Sequence, residues 1–173
     1  MTIVVEDGTG LSTAESYASV ADANTYFAKR LNAAWDELDD IDDKEPALIK
    51  ATDFMERVYG QKWIGTRTSE TQALSFPREG VKRVGGWNYY DNDEIPREVK
   101  VACMELALKV SSEPLAADLT ADDFIEAVTI GPISINYKES SPAVKIYREI
   151  NDWLAPLFGG IASSGMAVKV IRT

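Results

Sequence analysis

Apolar residues recur every three or four positions between residues 96 and 111. The repeating set is Val99, Ala102, Cys103, Leu106, Ala107 and Val110. This spacing places the set on one face of an α-helix. Pro96 suits the first helical turn, where its missing N–H would have no partner. Val101, Met104 and Leu108 extend the apolar surface beyond that face, so we predict a central helix that is buried on more than one side.

The same periodicity predicts three further helices. They carry Val20, Ala23, Phe27 and Leu31; then Leu48, Ala51, Met55 and Val58; then Val144, Tyr147, Ile150, Leu154 and Leu157. Ser19 suits the cap of the first helix, which runs to about residue 32. Residues 127–137 alternate on both sides of Gly131-Pro132, which is typical of a β-hairpin. The predicted fold is therefore mainly α: a helical bundle around a central helix (about 96–111), with a β-hairpin insertion and an extended C-terminal arm.

The domain boundaries follow from glycine, proline and charge. Residues 36–45 form an acidic connector that is expected to be exposed apart from a few apolar anchors. Residues 60–93 are rich in glycine and aromatics, and we expect a loop with short strands on the outside of the helices. We predict a single helical domain over residues 1–158, including the loop 60–93 and the hairpin 127–137. A flexible arm, 159–173, follows it.

The composition argues against catalysis. The chain has 173 residues, no histidine and one cysteine, Cys103. The commonest general base and metal ligand is therefore missing, and Cys103 on the apolar stripe is interpreted as core. The acidic connector lacks the glycine and ligand spacing of a calcium loop. No phosphate loop or dinucleotide fingerprint is present. We predict no enzymatic activity, no catalytic residue, no metal and no cofactor.

Charge and hydropathy restrict the partners further. The net charge is −10, and residues 1–45 hold 11 acidic and 3 basic side chains. Such a protein is repelled by nucleic-acid phosphates at long range. No run approaches the ~18 apolar residues of a membrane span, and the N-terminus does not resemble a signal peptide. We expect no membrane partner.

One segment mixes basic and aromatic residues. It holds Lys62, Arg67, Arg78, Lys82 and Arg83 among Trp63, Phe76, Trp87, Tyr89 and Tyr90. Trp, Tyr and Arg are favoured anchors of protein interfaces, while cations beside flat rings also suit single-stranded nucleic acid. We rank a protein interface first, packing of the loop second and nucleic acid third. The candidate subunit or partner interface is Trp63, Arg67, Arg78, Trp87, Tyr89 and Tyr90.

Several segments, taken in their order along the chain, resemble those of a known family. They are residues 5–11 (VEDGTGL) with Ser16-Tyr17, residues 47–53 (ALIKATD), Trp63, Gly65, Arg67 and Thr68, residues 72–78 (QALSFPR), residues 95–102 (IPREVKVA) and residues 130–133 (IGPI). Over residues 3–158 the chain is similar to small tailed-bacteriophage proteins often labelled DnaT-like single-stranded DNA-binding. These resemble head–tail connector (adaptor) proteins of the virion.

The resemblance implies a structural virion protein, located in the neck between head and tail and made in the host bacterial cytoplasm. It implies a homo-oligomeric ring of about twelve copies, docked on the portal protein and contacting tail or neck proteins, with DNA only as passing cargo in the channel. The label implies the alternative, a single-stranded DNA-binding module of phage replication.

The C-terminal arm ends in an alternating segment without a partner strand. Its residues Val168, Lys169, Val170, Ile171 and Arg172 form the candidate portal-docking arm. An unpaired strand satisfies its backbone by adding to a sheet edge in a neighbour. We expect that neighbour to be the portal or the next subunit.

Overall fold

The computed structural model describes residues 3–112, 127–130, 133–136 and 147–159. Its helices are α1 (Val20–Ala28), α2 (Ala33–Asp36), α3 (Glu45–Tyr59), α4 (Arg97–Ser112) and α5 (Arg148–Leu154), with a π-helical turn at Asp40–Lys44 and a 3-10 turn at Ala155–Leu157. Its strands are β1 (Thr66–Arg67), β2 (Arg78–Glu79), β3 (Ala127–Ile130) and β4 (Ile133–Asn136). The predicted mainly α fold is confirmed.

Helix α4 is the centre of the described core. It packs against α3 on one side and α5 on another. Its buried residues are Val99, Val101, Ala102, Cys103, Met104, Leu106 and Ala107. They surround more than half of the helix, as the wide apolar surface predicted. The helix begins within one residue of the predicted start, and the single carbonyl of Pro96 accepts hydrogen bonds from Val99 N and Lys100 N.

Helices α3 and α5 complete the bundle. Helix α3 buries Leu48, Ala51 and Met55 as its periodicity predicted, and Gly60 follows it. Tyr147 lies at the N-cap of α5, while Ile150, Leu154 and Leu157 are fully buried. The beginning of the predicted last helix, including Val144, lies outside the described residues.

Helix α1 starts as predicted but ends earlier. Ser19 and Asp22 form a reciprocal capping box, which satisfies backbone N–H groups at the helix start. The prediction that the helix continues to residue 32 is wrong. Asn32 N donates to Phe27 O at 3.2 Å, and Leu31 turns into left-handed backbone (φ 53°) with 93% of its surface exposed. The chain therefore leaves the helix before Leu31 can reach the core.

Trp35 on α2 takes the place predicted for Leu31. Its ring is fully buried and lies 4.9 Å from that of Phe27, centroid to centroid. Its indole N–H donates to Asn24 Oδ1 at 2.8 Å. Trp35 thus anchors the start of the acidic connector, and the half-buried Leu38 within it also packs against the core.

Two short antiparallel pairs add the β-structure. In the first, β1 pairs with β2, with Thr66 opposite Glu79. In the second, β3 pairs with β4, with Val128 opposite Ile135. The predicted hairpin is confirmed for 127–130 and 133–136. The predicted C-terminal arm lies outside the described residues, apart from its first residue, Gly159.

Candidate interaction surfaces

The inner part of the segment 60–93, which we define as residues 60–81, is attached to the helical core by hydrogen bonds. Tyr17 donates its hydroxyl proton to Glu56 Oε1 and accepts a hydrogen bond from the backbone N–H of Phe76 at 3.2 Å. Ser75 Oγ donates to Glu56 Oε2 at 2.6 Å. Burial, together with the neighbouring Glu56 carboxylate, raises the pKa of the Tyr17 hydroxyl. The phenol therefore remains a donor, and it ties α3 to the residues around Phe76.

Arg78 belongs to this internal framework. Its guanidinium donates to three backbone carbonyls: Ile64 O at 2.8 Å, Gly65 O at 2.6 Å and Ser75 O at 3.2 Å. Partial burial lowers the pKa of Arg78, and the positive charge of the nearby Arg67 lowers it further. The prediction that this segment spreads over the outside of the helices is wrong for its inner part, where Phe76 and Val81 are fully buried.

Trp63 and Tyr90 also face inward. The Trp63 ring lies 5.1 Å from that of Phe76 and 5.2 Å from that of Phe158, with 6% of its surface exposed. Tyr90 is 8% exposed and donates its hydroxyl to Glu98 Oε2 at 2.9 Å. In the single chain, neither ring is available to a partner.

The outer part of the segment forms a small projecting hairpin, residues 82–89, which we call the aromatic tip. Lys82 and Tyr89 form an antiparallel bridge, and Arg83 N donates to Asn88 O at 2.8 Å. Gly85 adopts φ 67° in the turn, a conformation that costs glycine little. Trp87 is 93% exposed and Tyr89 61% exposed. Val84 is also exposed, so the tip presents a small apolar surface.

The base of the aromatic tip carries a fixed ion pair. Arg83 forms a bidentate pair with Glu94 and lies 4.6 Å above the Tyr90 ring. The hydrogen bond to Glu94 raises the pKa of Arg83. Asp91 and Asp93 are exposed beside this pair. With Lys82 as the remaining cation of the tip, the surroundings of the exposed rings are not basic.

Arg67 is the sixth predicted interface residue. It lies on β1 and is exposed, with one long hydrogen bond from Nη2 to Ala73 O at 3.4 Å. It does not join the aromatic tip through any described contact. Of the six predicted residues, Arg67, Trp87 and Tyr89 are therefore accessible in the single chain.

A second surface lies between α1 and α4, and we call it the basic groove. Its volume is about 440 Å³, and it is lined by Asp22, Thr25, Tyr26, Lys29, Arg30, Arg97, Lys100, Val101 and Met104. A hydrogen bond of 2.7 Å from Tyr26 Oη to Glu105 Oε1 brings α1 beside α4.

The charges of the basic groove are predominantly positive. It holds four basic side chains and one carboxylate, Asp22, which is engaged by the Ser19 cap. Arg30 lies 3.4 Å above the Tyr26 ring. None of the four cations forms an ion pair with another residue that the structure describes. Glu105, which accepts the hydrogen bond of the Tyr26 hydroxyl, and Glu149, whose charge also acts on that hydroxyl, limit the positive potential there.

Sequence reasoning did not identify this groove. Lys29 and Arg30 are separated from Arg97 and Lys100 by almost seventy residues, and each pair alone is typical of a solvated helix face. One signal was present: Arg97, Lys100, Val101 and Met104 share one helix face by spacing. That pattern does not reveal which element packs opposite.

The family of the chain follows from comparison. A family model described as "Putative DnaT-like ssDNA binding protein" matches residues 1–173. The chain belongs to this family. No curated protein and no solved structure matches it. The description of the DnaT-like family favours the single-stranded DNA hypothesis over the connector hypothesis, and it does not mention a virion role.

Among the described residues of this DnaT-like chain, no three Cys, Asp or Glu side chains lie where they could share a metal ion. No helix in the described ranges is both long and apolar enough to cross a membrane. The prediction that the chain is not an enzyme remains a prediction.

Proposed function

We propose that this chain is a structural virion protein, a head–tail connector that forms a ring, docks on the portal and joins head to tail around the DNA channel. The observation that carries the proposal is the aromatic tip, in which Trp87 and Tyr89 project into solvent. Rings of this kind are the usual anchors of protein interfaces.

The aromatic tip is held in place before any partner arrives. Arg83 connects it to Glu94 and to the Tyr90 ring, and Tyr90 N donates to Val81 O at 2.8 Å. A surface that is already ordered loses less conformational entropy on binding. Tyr90 therefore contributes to docking by holding the tip in place, although its own ring is buried and does not contact a partner.

Charge favours a protein partner at this tip. Asp91 and Asp93 are exposed and closely follow Tyr89 in the sequence, so they would repel the phosphates of a DNA strand stacked on the tip. The net charge of −10 is compatible with DNA that slides through a channel without adhering. The predicted arm, Val168 to Arg172, remains the candidate for portal docking.

The test uses the portal protein encoded in the same genome. Mass photometry of the mixture should show a ring on the portal for the wild-type chain, and Trp87→Ala should weaken the complex. Leu31→Ala is the matched control, since Leu31 is equally exposed at 93% but lies outside the tip. A wild-type chain that remains monomeric with and without the portal would refute the connector proposal.

Single-stranded DNA binding is the second candidate function. It is favoured by the family description and by the basic groove, where four cations surround Tyr26. A strand would place phosphates on the cations and a base on a ring. The test is fluorescence anisotropy with labelled oligothymidine at several salt concentrations. Low-micromolar binding that is lost in Lys29→Glu/Lys100→Glu and weakens with salt would favour this function.

A further inference from the structure

We propose that the aromatic tip of one copy binds the basic groove of a second copy. This inference rests on the connector function and names the subunit contact of its ring. The two surfaces are different parts of the same chain, so the contact is head-to-tail. Contacts of this type close into rings when the rotation between subunits allows it.

The charges of the two surfaces are complementary. The base of the tip carries exposed Asp91 and Asp93. In the groove, Lys29, Arg97 and Lys100 form no ion pair with any described residue, and Arg97 lies 5.7 Å from the Trp153 ring of its own chain. Opposite charges that face each other across an interface speed association and fix its orientation. A strand of DNA satisfies the groove cations but leaves the apolar rings of the tip without a partner.

The groove also matches the rings of the tip. Its volume of about 440 Å³ lies within the range of pockets that bind small organic groups, ~300–1,000 Å³. The half-buried Tyr26 ring supplies the accessible apolar surface, because Val101 and Met104 beneath it are only 2% and 5% exposed. Arg97 also lines the groove, where its guanidinium lies 5.7 Å from the Trp153 ring. Arginine stacks well on aromatic rings, as Arg30 does on Tyr26. An indole such as that of Trp87 would therefore meet the Tyr26 ring and the arginines of the groove.

Two charge-reversed chains test the contact. The first carries Lys29→Glu and Lys100→Glu, so its groove and tip are both acidic. The second carries Asp91→Lys and Asp93→Lys, so its groove and tip are both basic. Every altered side chain is exposed or half-exposed, and thermal melts show whether each chain keeps the wild-type fold. Assembly is measured by mass photometry, with and without the portal protein.

The inference predicts that neither chain assembles alone, with the concentration at half assembly raised about tenfold or more. An equimolar mixture should assemble, because each tip then meets a groove of opposite charge. The inference is overturned if either chain alone assembles like the wild type, or if the folded mixture stays monomeric. If either outcome occurs while the wild-type chain still forms rings, the connector function stands and only the tip–groove contact is refuted. A wild-type chain that never assembles would refute the contact and the connector function together.

Discussion

The inner and outer parts of the segment 60–93 use the same types of residue in opposite ways. In the inner part, Trp63 and Phe76 lie in the core, and Arg78 donates to three backbone carbonyls. In the outer part, Trp87 and Tyr89 project into water. The inner part contributes stability to the domain, while the aromatic tip contributes little and is available for contacts with a partner.

The two parts differ because aromatic rings of the core surround the rings of the inner part but not those of the tip. Phe76 lies against Tyr17, at 6.4 Å between ring centroids, and Trp63 lies against the ring of Phe158. The aromatic tip is held instead by backbone hydrogen bonds, from Arg83 N to Asn88 O and from Tyr90 N to Val81 O. Ring burial stabilises a domain only where neighbours surround the ring, so composition alone cannot distinguish an anchor from a docking surface.

The largest expected difference is in stability. Phe76→Ala should lower the free energy of unfolding by about 3–5 kcal/mol, because it leaves a cavity at a fully buried position. Trp87→Ala should change it by less than about 0.5 kcal/mol, since the side chain is exposed. Urea denaturation measures both. Equal losses in the two variants would show that the two parts are not different in burial.

Arginine provides a smaller contrast. Arg78→Ala should cost about 1–3 kcal/mol, because it leaves partly buried carbonyls without their donors. Arg67→Ala is the matched control and should stay within about 0.5 kcal/mol, since Arg67 is exposed with one long hydrogen bond. The same denaturation experiment applies. A neutral effect of Arg78→Ala would indicate that water replaces the guanidinium.

The smallest expected effect depends on pH. Burial, with the hydrogen bond to Glu98, raises the pKa of Tyr90 to about 12, above the usual value of about 10. The folded state therefore favours the protonated phenol, and this stabilisation is present below pH 10 and is lost as the pH rises towards 12. In Tyr90→Phe, unfolding free energy should fall less steeply between pH 10 and 12. An unchanged slope would contradict the buried hydrogen bond.

Periodicity predicted the helical core because each helix buries a continuous face. Val99 to Val110 and Leu48 to Met55 carry that signal within one element. Leu31 has the spacing of a helical core residue but lies beyond the end of α1, because the hydrogen bond from Asn32 N to Phe27 O forms a turn there. The sequence predicts Arg78 at an interface, because its partners in the structure are backbone carbonyls, which leave no trace in the sequence. The basic groove requires two helices from distant parts of the chain.

Oxidative footprinting of tryptophan shows whether the aromatic tip becomes covered when the chain assembles. Trp63 and Trp87 are compared by mass spectrometry after brief exposure to hydroxyl radicals, in the free chain and in its complex with the portal protein. We expect Trp87 to be oxidised rapidly in the monomeric chain and to be protected once chains assemble on the portal, whereas Trp63 should be protected in both states. Oxidation of Trp87 that is unchanged in the complex, or protection by oligothymidine in place of the portal, would contradict this expectation.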